Sequence, residues 1–282
     1  MRRFVTLVVE SQGAMAKITL NRPDRRNAFD SVMVAELGQV FETLEQDPTL
    51  RGVVLAAAGS VFCAGADIRW MQEHSPVSES RAKEDAHQLT RMIRAVDECP
   101  CPVIARVQGP AFGGGLGLLA ACDIVVAAED ATFALSETRL GLVPAVIAPL
   151  LLRKAGDSFL RRYGLSGETF DAATARRFLL VHDIVPPQGL DERIAELSDA
   201  IMRLAPRAVR DSKALFRRMP ALTDDDCWSL GAEVNARARS GSEAAEGLLA
   251  FMDKRLPSWA QSPARPPEEE ASTSDHGSFR HT

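Results

Sequence analysis

The stretch "AFGGGLGLLAACD", Ala111 to Asp123, sets three consecutive glycines at the mouth of an apolar segment, with a fourth, Gly117, inside its first turn. Glycine costs a helix interior roughly 1 kcal/mol relative to alanine, so a helix opening this way needs a reason for bare backbone. Just before it, "PVIARVQG" from Pro102 reads as a buried strand, and just after it "IVVAA" from Ile124 reads as a short one. Strand, glycine junction, helix and strand together make one step of an α/β fold.

The same alternation extends through the first 140 residues. "FVTLVVE" and "AKITLN" read as two strands joined by a turn around Ser11, Gln12 and Gly13. Asp30 or Ser31 can cap a helix whose apolar positions are Met33, Leu37, Val40, Phe41 and Leu44. "RGVVLAAA" from Arg51 is a buried strand, and residues 79–98 form a helix with Leu89, Met92, Ile93 and Val96 on one face. Beyond Ala145 the spacing is almost entirely helical. The last stretch, "SPARPPEEEASTSDHGSFRHT", has hardly any apolar residues and reads as a disordered tail.

Composition excludes several classes. The 282 residues carry a formal net charge of −5, which argues against a nucleic-acid partner or an anionic membrane surface. No apolar run reaches the ~18 residues of a membrane span. The basic, then apolar N-terminus is too short for a signal peptide and reads as a first strand. Five cysteines without zinc spacing read as free thiols in a reducing compartment, so a cytoplasmic location is expected.

The chemistry gathers at two glycine-bearing junctions. "FCAGAD", Phe62 to Asp67, and "GPAFGGGLG" each follow a strand with small residues that leave backbone N–H groups reachable. Two such donors converging from different loops make an oxyanion hole, each worth on the order of 10²–10³ in rate. Close strand–helix packing and a phosphate cradle are the alternatives. The junction lacks the Lys-Ser/Thr of a P-loop and the G-x-G-x-x-G spacing of a dinucleotide site. On the residues alone these readings stay open.

Four blocks, "LNRPDRRNAF", "FCAGADIRWM", "VQGPAFGGGLGLLAACDIVVAAEDATFALSETRLGLVPA" and "GLLAFMDKRLPSW", narrow them. Their order and spacing resemble the crotonase, or enoyl-CoA hydratase/isomerase, superfamily over roughly residues 1–260. The wording around the glycines is similar to bacterial methylglutaconyl-CoA and isohexenylglutaconyl-CoA hydratases. The resemblance implies an α/β fold, a crotonase-like spiral of β-β-α units with a helical C-terminal region. It implies a spiral core over 1–200, a helical trimerisation region over 201–258 and the tail over 259–282. A homotrimer or hexamer is implied, acting on an acyl-CoA thioester with no cofactor beyond the coenzyme A of the substrate.

The resemblance also assigns residues. The oxyanion donors match the N–H groups of Ala66 and Gly114, and the acid–base carboxylate matches Glu137. Ala64, Ala66, Asp67, Ile68 and Arg69 would run along the thioester and pantetheine, with Phe112, Gly113 and Gly114 opposite. Arg25, Arg26 and Ala28 would meet the CoA phosphates and adenine, and Phe251 and Lys254 would reach CoA from the C-terminal helix, often of an adjacent subunit. Asp67 in this family more often serves loop structure than catalysis. Where hydratases of the family carry a second glutamate, this chain has Gly117. The expectation is that Gly117 leaves room near the β-carbon, which the distal carboxylate of a 3-substituted glutaconyl thioester could use. Hydration of a 2-enoyl-CoA is the leading expectation. An enoyl-CoA Δ-isomerase and a non-catalytic acyl-CoA-binding protein are its rivals. Leu179 stands where relatives commonly have a turn glycine, and His182 nearby reads as structural.

Overall fold

The computed structural model describes residues 4–73 and 76–260, so nearly all of the tail expected over 259–282 lies outside the described residues. Strands β1 (Leu7–Gln12) and β2 (Met15–Leu20) form the expected antiparallel hairpin, with Gln12 opposite Met15. Helix α1 (Ser31–Glu45) starts at Asp30, whose carboxylate accepts the Met33 N–H at 2.8 Å, and it buries Met33, Val34, Leu37, Val40 and Phe41. This cap satisfies one of the N–H groups that a helix start leaves open. β3 (Gly52–Ala57) is buried along its length, and α2 (Ile68–Glu73) and α3 (Glu79–Glu98) follow. Met92, Ile93 and Val96 of α3 are buried, as their spacing predicts.

The chain then winds between two sheets. β4 (Val103–Val107) and β6 (Ile124–Ala128) belong to a six-stranded sheet of order β1-β2-β3-β4-β6, completed by β9 (Asp183–Val185). The short β5 (Ala111–Phe112), β7 (Thr132–Ala134) and β8 (Phe170–Asp171) make a second sheet. Between β5 and β6 lies α4 (Gly114–Ala121). The route therefore alternates from the first sheet to the second and back, the winding a spiral requires. From β2 onward the large sheet is parallel, and its strands read as near-continuous apolar runs because both faces are covered.

Helices α5 (Ala148–Ala155), α6 (Asp157–Ser166), α7 (Ala172–Arg177), α8 (Leu190–Met202), α9 (Pro206–Arg218), α10 (Asp224–Arg239) and α11 (Ser242–Met252) supply the rest. The expectation of an almost entirely helical chain beyond Ala145 needs correction, since β8 and β9 lie there. Strands of two and three residues carry no period of their own and exist by pairing with β7 and β6. His182 helps to seat β9. Its N–H donates to Val125 O and its Nδ1 accepts the Val125 N–H, both at 2.9 Å.

α8 packs Leu190, Ile194 and Ile201 in one apolar cluster with Val54, Ile104 and Val126 of the large sheet. α9 is tied to the body by polar contacts, with Arg210 donating to the carbonyls of Asp47 and Leu50, both at 2.8 Å. Among the described residues of α9 to α11, only Leu230 and Ala250 are buried, while Trp228 is 80% and Phe251 82% exposed. Cys63, Cys99, Cys101 and Cys122 are buried free thiols and Cys227 is a half-buried one. Among the described residues no helix is long and apolar enough to cross a membrane.

Candidate active site

The first junction is shaped by Phe29. Its N–H donates to Gly65 O at 2.7 Å, and its own carbonyl accepts the Asp67 N–H at 2.8 Å. This one-residue parallel bridge engages the groups on either side of Ala66. The Ala66 N–H itself donates to nothing among the described residues, and Ala66 is exposed. At the second junction Gly113 donates to Ala134 O at 2.9 Å, and Gly114 begins α4. The Gly114 N–H likewise has no acceptor among the described residues, as a first-turn donor should.

The two junctions touch. A methyl group placed on Gly65 would lie 3.0 Å from Phe112 O and 3.3 Å from Gly114 N. The two loops that carry the free donors therefore pack against each other, as an oxyanion hole requires.

Glu137 opens a short 3-10 turn, Glu137–Leu140, and its carboxylate comes to the same place. A methyl on Gly113 would sit 3.1 Å from Glu137 Oε1. Oε2 is buried and has no hydrogen-bond partner among the described residues. Burial pushes this carboxyl above the ordinary glutamate range. A half-buried carboxyl with a raised pKa and a free oxygen is poised to move protons nearer neutral pH.

Gly117 departs from expectation. It is fully enclosed, and a methyl there would lie 2.3 Å from Ile147 Cγ2 and 3.3 Å from Ile93 Cδ1. Ile147 is 2% exposed and precedes α5. The room expected beside Gly117 is thus filled by an isoleucine from another segment, and no substrate carboxylate has space to enter there.

The other expected residues fall in two groups. Ala28 is buried, Ala64 and Phe112 are half-buried, and Ile68 and Arg69 are exposed at the start of α2. Asp67 is turned inward. Its Oδ2 pairs with Arg22 at 3.1 Å and its Oδ1 accepts the Arg69 N–H at 3.0 Å, so it caps α2. Arg25 and Arg26 are exposed, with Arg25 3.7 Å from Asp24. Phe251 near the end of α11 and Lys254 just beyond it are also exposed, on a helix that packs against α10.

Three residues escaped the sequence reading. Arg22 joins Asp30 and Asp67, Phe29 spans both junctions, and Asn27 is fully buried with φ +53. Asn27 donates from Nδ2 to the carbonyls of Ala58 and Val61, both at 2.8 Å. Only the asparagine carried a signal, since it tolerates left-handed backbone better than most residues. A groove of about 590 Å³ lies elsewhere, walled by Pro102, Ile124, Leu204, Val209 and Phe216. Its charged groups pair with one another, as Lys213 does with Asp123 at 2.6 Å, and it shares no residue with the glycine junctions.

Comparison with known proteins agrees with this geometry. The family model for enoyl-CoA hydratase/isomerase matches residues 10–262. The chain is 31% identical over 260 residues to the carnitinyl-CoA dehydratase of Proteus mirabilis, covering 90% of this chain and 98% of that one. An enoyl-CoA hydratase structure from Shewanella pealeana superposes with a TM-score of 0.87 at 38% identity, over 91% of this chain and 97% of the other. The Pseudomonas aeruginosa protein AtuE gives 0.88 at 36%, over 91% and 100%. The spiral fold, the paired free N–H groups and nearly full-length similarity converge, and the chain belongs to the enoyl-CoA hydratase/isomerase family.

Proposed function

We propose that the protein adds water reversibly across the C2–C3 double bond of a 2-enoyl-CoA. The thioester oxygen accepts hydrogen bonds from the Ala66 and Gly114 N–H groups. As water oxygen bonds to C3, Glu137 takes a proton from that water, and the π electrons move onto the thioester oxygen as an enolate. Glu137 then returns the proton to C2 while the enolate collapses. The free, buried Glu137 Oε2 beside Gly113 is the observation that carries this reading.

One observation favours a second reading. With Ile147 closing the space beside Gly117, the pocket has one carboxylate where a two-glutamate hydratase has a pair. A single base suffices to move a proton between C2 and C4, so double-bond isomerisation is the alternative. Assaying 2-enoyl and 3-enoyl thioesters for water addition and bond migration separates the two. Glu137→Gln lowers kcat by about 10²-fold or more in either case, with acyl-CoA binding kept. A variant that binds CoA esters while a wild type shows no turnover to lose would mark a non-catalytic binding protein instead.

For the acyl group, Ile147 and Ile93 fill the space beside Gly117, so no part of that group is seated there. A 3-substituted glutaconyl thioester would have to seat its distal carboxylate elsewhere. Crotonyl-CoA and 3-methylglutaconyl-CoA belong in the same assay panel for that reason. We read the exposed apolar side chains of α10 and α11 as subunit contacts of a trimer or hexamer. Phe251 and Lys254 would there reach the CoA of a neighbouring subunit. Five free thiols suit a cytoplasmic location.

A further inference from the structure

The two free N–H groups come from loops almost fifty residues apart in sequence, yet one short segment fixes both. Phe29 brackets Ala66 with two backbone hydrogen bonds, at 2.7 and 2.8 Å, which set the plane of the peptides on either side of it. Its ring, 2% exposed, lies against Gly114. A methyl on Gly114 would come within 2.9 Å of Phe29 Cε2 and 3.2 Å of Cδ2.

Arg22 holds that segment closed. Its Nη1 donates to Ala28 O at 2.5 Å, and its Nη2 meets Asp30 Oδ2 at 2.9 Å and Asp67 Oδ2 at 3.1 Å. The guanidinium thus joins the residue before Phe29, the residue after it and the residue after Ala66. A planar fork suits such a three-way junction, and an ammonium does not reproduce it. Asn27 anchors the other side, accepting the Arg22 N–H at 2.9 Å while donating to the Ala58 and Val61 carbonyls.

We propose that Phe29 and Arg22 are positioning residues that set the separation and direction of the Ala66 and Gly114 N–H groups. Neither touches substrate in this scheme. Phe29 acts as the spacer between the donors, and Arg22 keeps the spacer seated against Asp67. The inference rests on the oxyanion reading of the site and extends it to residues outside the pocket.

The test uses Arg22→Met and Phe29→Leu in the full chain, with Arg22→Lys as a milder variant should Arg22→Met fail to fold. Kinetics use whichever enoyl thioester the wild type turns over. Misplacing a reacting group by about 1 Å can cost about 10²-fold, so kcat should fall about tenfold to a hundredfold in Arg22→Met and Phe29→Leu, and less in Arg22→Lys. KM should change much less than kcat, because the N–H pair stabilises the charge that develops in the transition state more than it stabilises the bound thioester.

The second readout is the carbonyl stretch of bound butyryl-CoA labelled with ¹³C at its carbonyl, followed by isotope-edited infrared spectroscopy. In the wild type the stretch should move to lower frequency on binding, since two donors polarise the carbonyl. In the variants it should return toward the free-ligand value. Folded variants that keep both the wild-type shift and the wild-type kcat overturn the positioning role. A wild type that binds butyryl-CoA with no carbonyl shift overturns the oxyanion reading itself, and the inference with it.

Discussion

At the first residue of α4, the missing side chain of Gly114 makes room for the Phe29 ring, and its N–H, without an acceptor among the described residues, lies next to Gly113, which Glu137 adjoins. Three residues along the same helix, the missing side chain of Gly117 is replaced in space by Ile147, which arrives from the segment before α5. Both bare positions accommodate an apolar side chain, but only the first also leaves a donor free. Both are glycine in sequence, and only the fold distinguishes the one that also offers a free donor from the one that is simply filled. Within one turn of helix the environment passes from free donors to close-packed hydrocarbon, where even a methyl group is felt.

Substitution at Gly117 should have the largest effect on stability. Gly117→Glu forces a side chain into Ile147 and buries a carboxylate without a partner, so it should cost about 3 kcal/mol or more in denaturant unfolding. Adding Ile147→Ala, which alone should cost about 2–5 kcal/mol, makes room for the new side chain. The double variant should therefore be more stable than the sum of the two losses predicts, by about 1–3 kcal/mol. Additive losses would show that Ile147 and Gly117 do not share one space, and the parallel with Gly114 and Phe29 would collapse.

A smaller effect lies at the polar end. Burial raises the Glu137 pKa above its unfolded value, so between those two values the folded chain holds more protons than the unfolded one. The contribution of Glu137 to stability is then fully present below the unfolded pKa and lost as pH rises through the folded pKa. Glu137→Gln should accordingly melt above the wild type at pH 8, with the gap closing as pH falls toward about 4. Equal melting temperatures across that range would mean that the carboxylate is solvated rather than held unpaired.

The smallest effect belongs away from α4. Leu179 sits at φ +61 and is largely exposed, in a backbone conformation that favours glycine. Left-handed backbone costs a side-chain-bearing residue roughly 1–2 kcal/mol, and glycine's unfolded-state entropy returns part of that. Leu179→Gly should stabilise by about 0.5 kcal/mol or slightly more without altering kcat. A loss of stability would mean that the leucine side chain contributes more there than its exposure suggests.

What could be read in advance followed local rules. The Asp30 cap, the buried face of α3 and the apolar strands of the large sheet each announce themselves within a few residues. The second sheet did not, because a two-residue strand such as β5 has no pattern to show. At the site, Glu137 and the two glycine junctions were legible through their motif words, and the two-glutamate pattern made Gly117 conspicuous. The occupant of its space was not legible, since Ile147 comes thirty residues later and nothing in "PAVIAP" marks it. Arg22 was hidden for a similar reason. In sequence it is one arginine of a polar loop, and its meaning lies in Asp67, forty-five residues on.

The interlock of Gly117 with Ile147 also constrains how the chain can change. Acquiring a second glutamate at 117 first would produce a protein that struggles to fold. Shrinking Ile147 first would open a hole with no compensating gain. Each single step is penalised while the pair is tolerated, so a lineage with this packing is held to glycine at 117 by epistasis. Selection for a different acyl-CoA substrate would then more easily alter the loops around Ala66 than place an acid at 117.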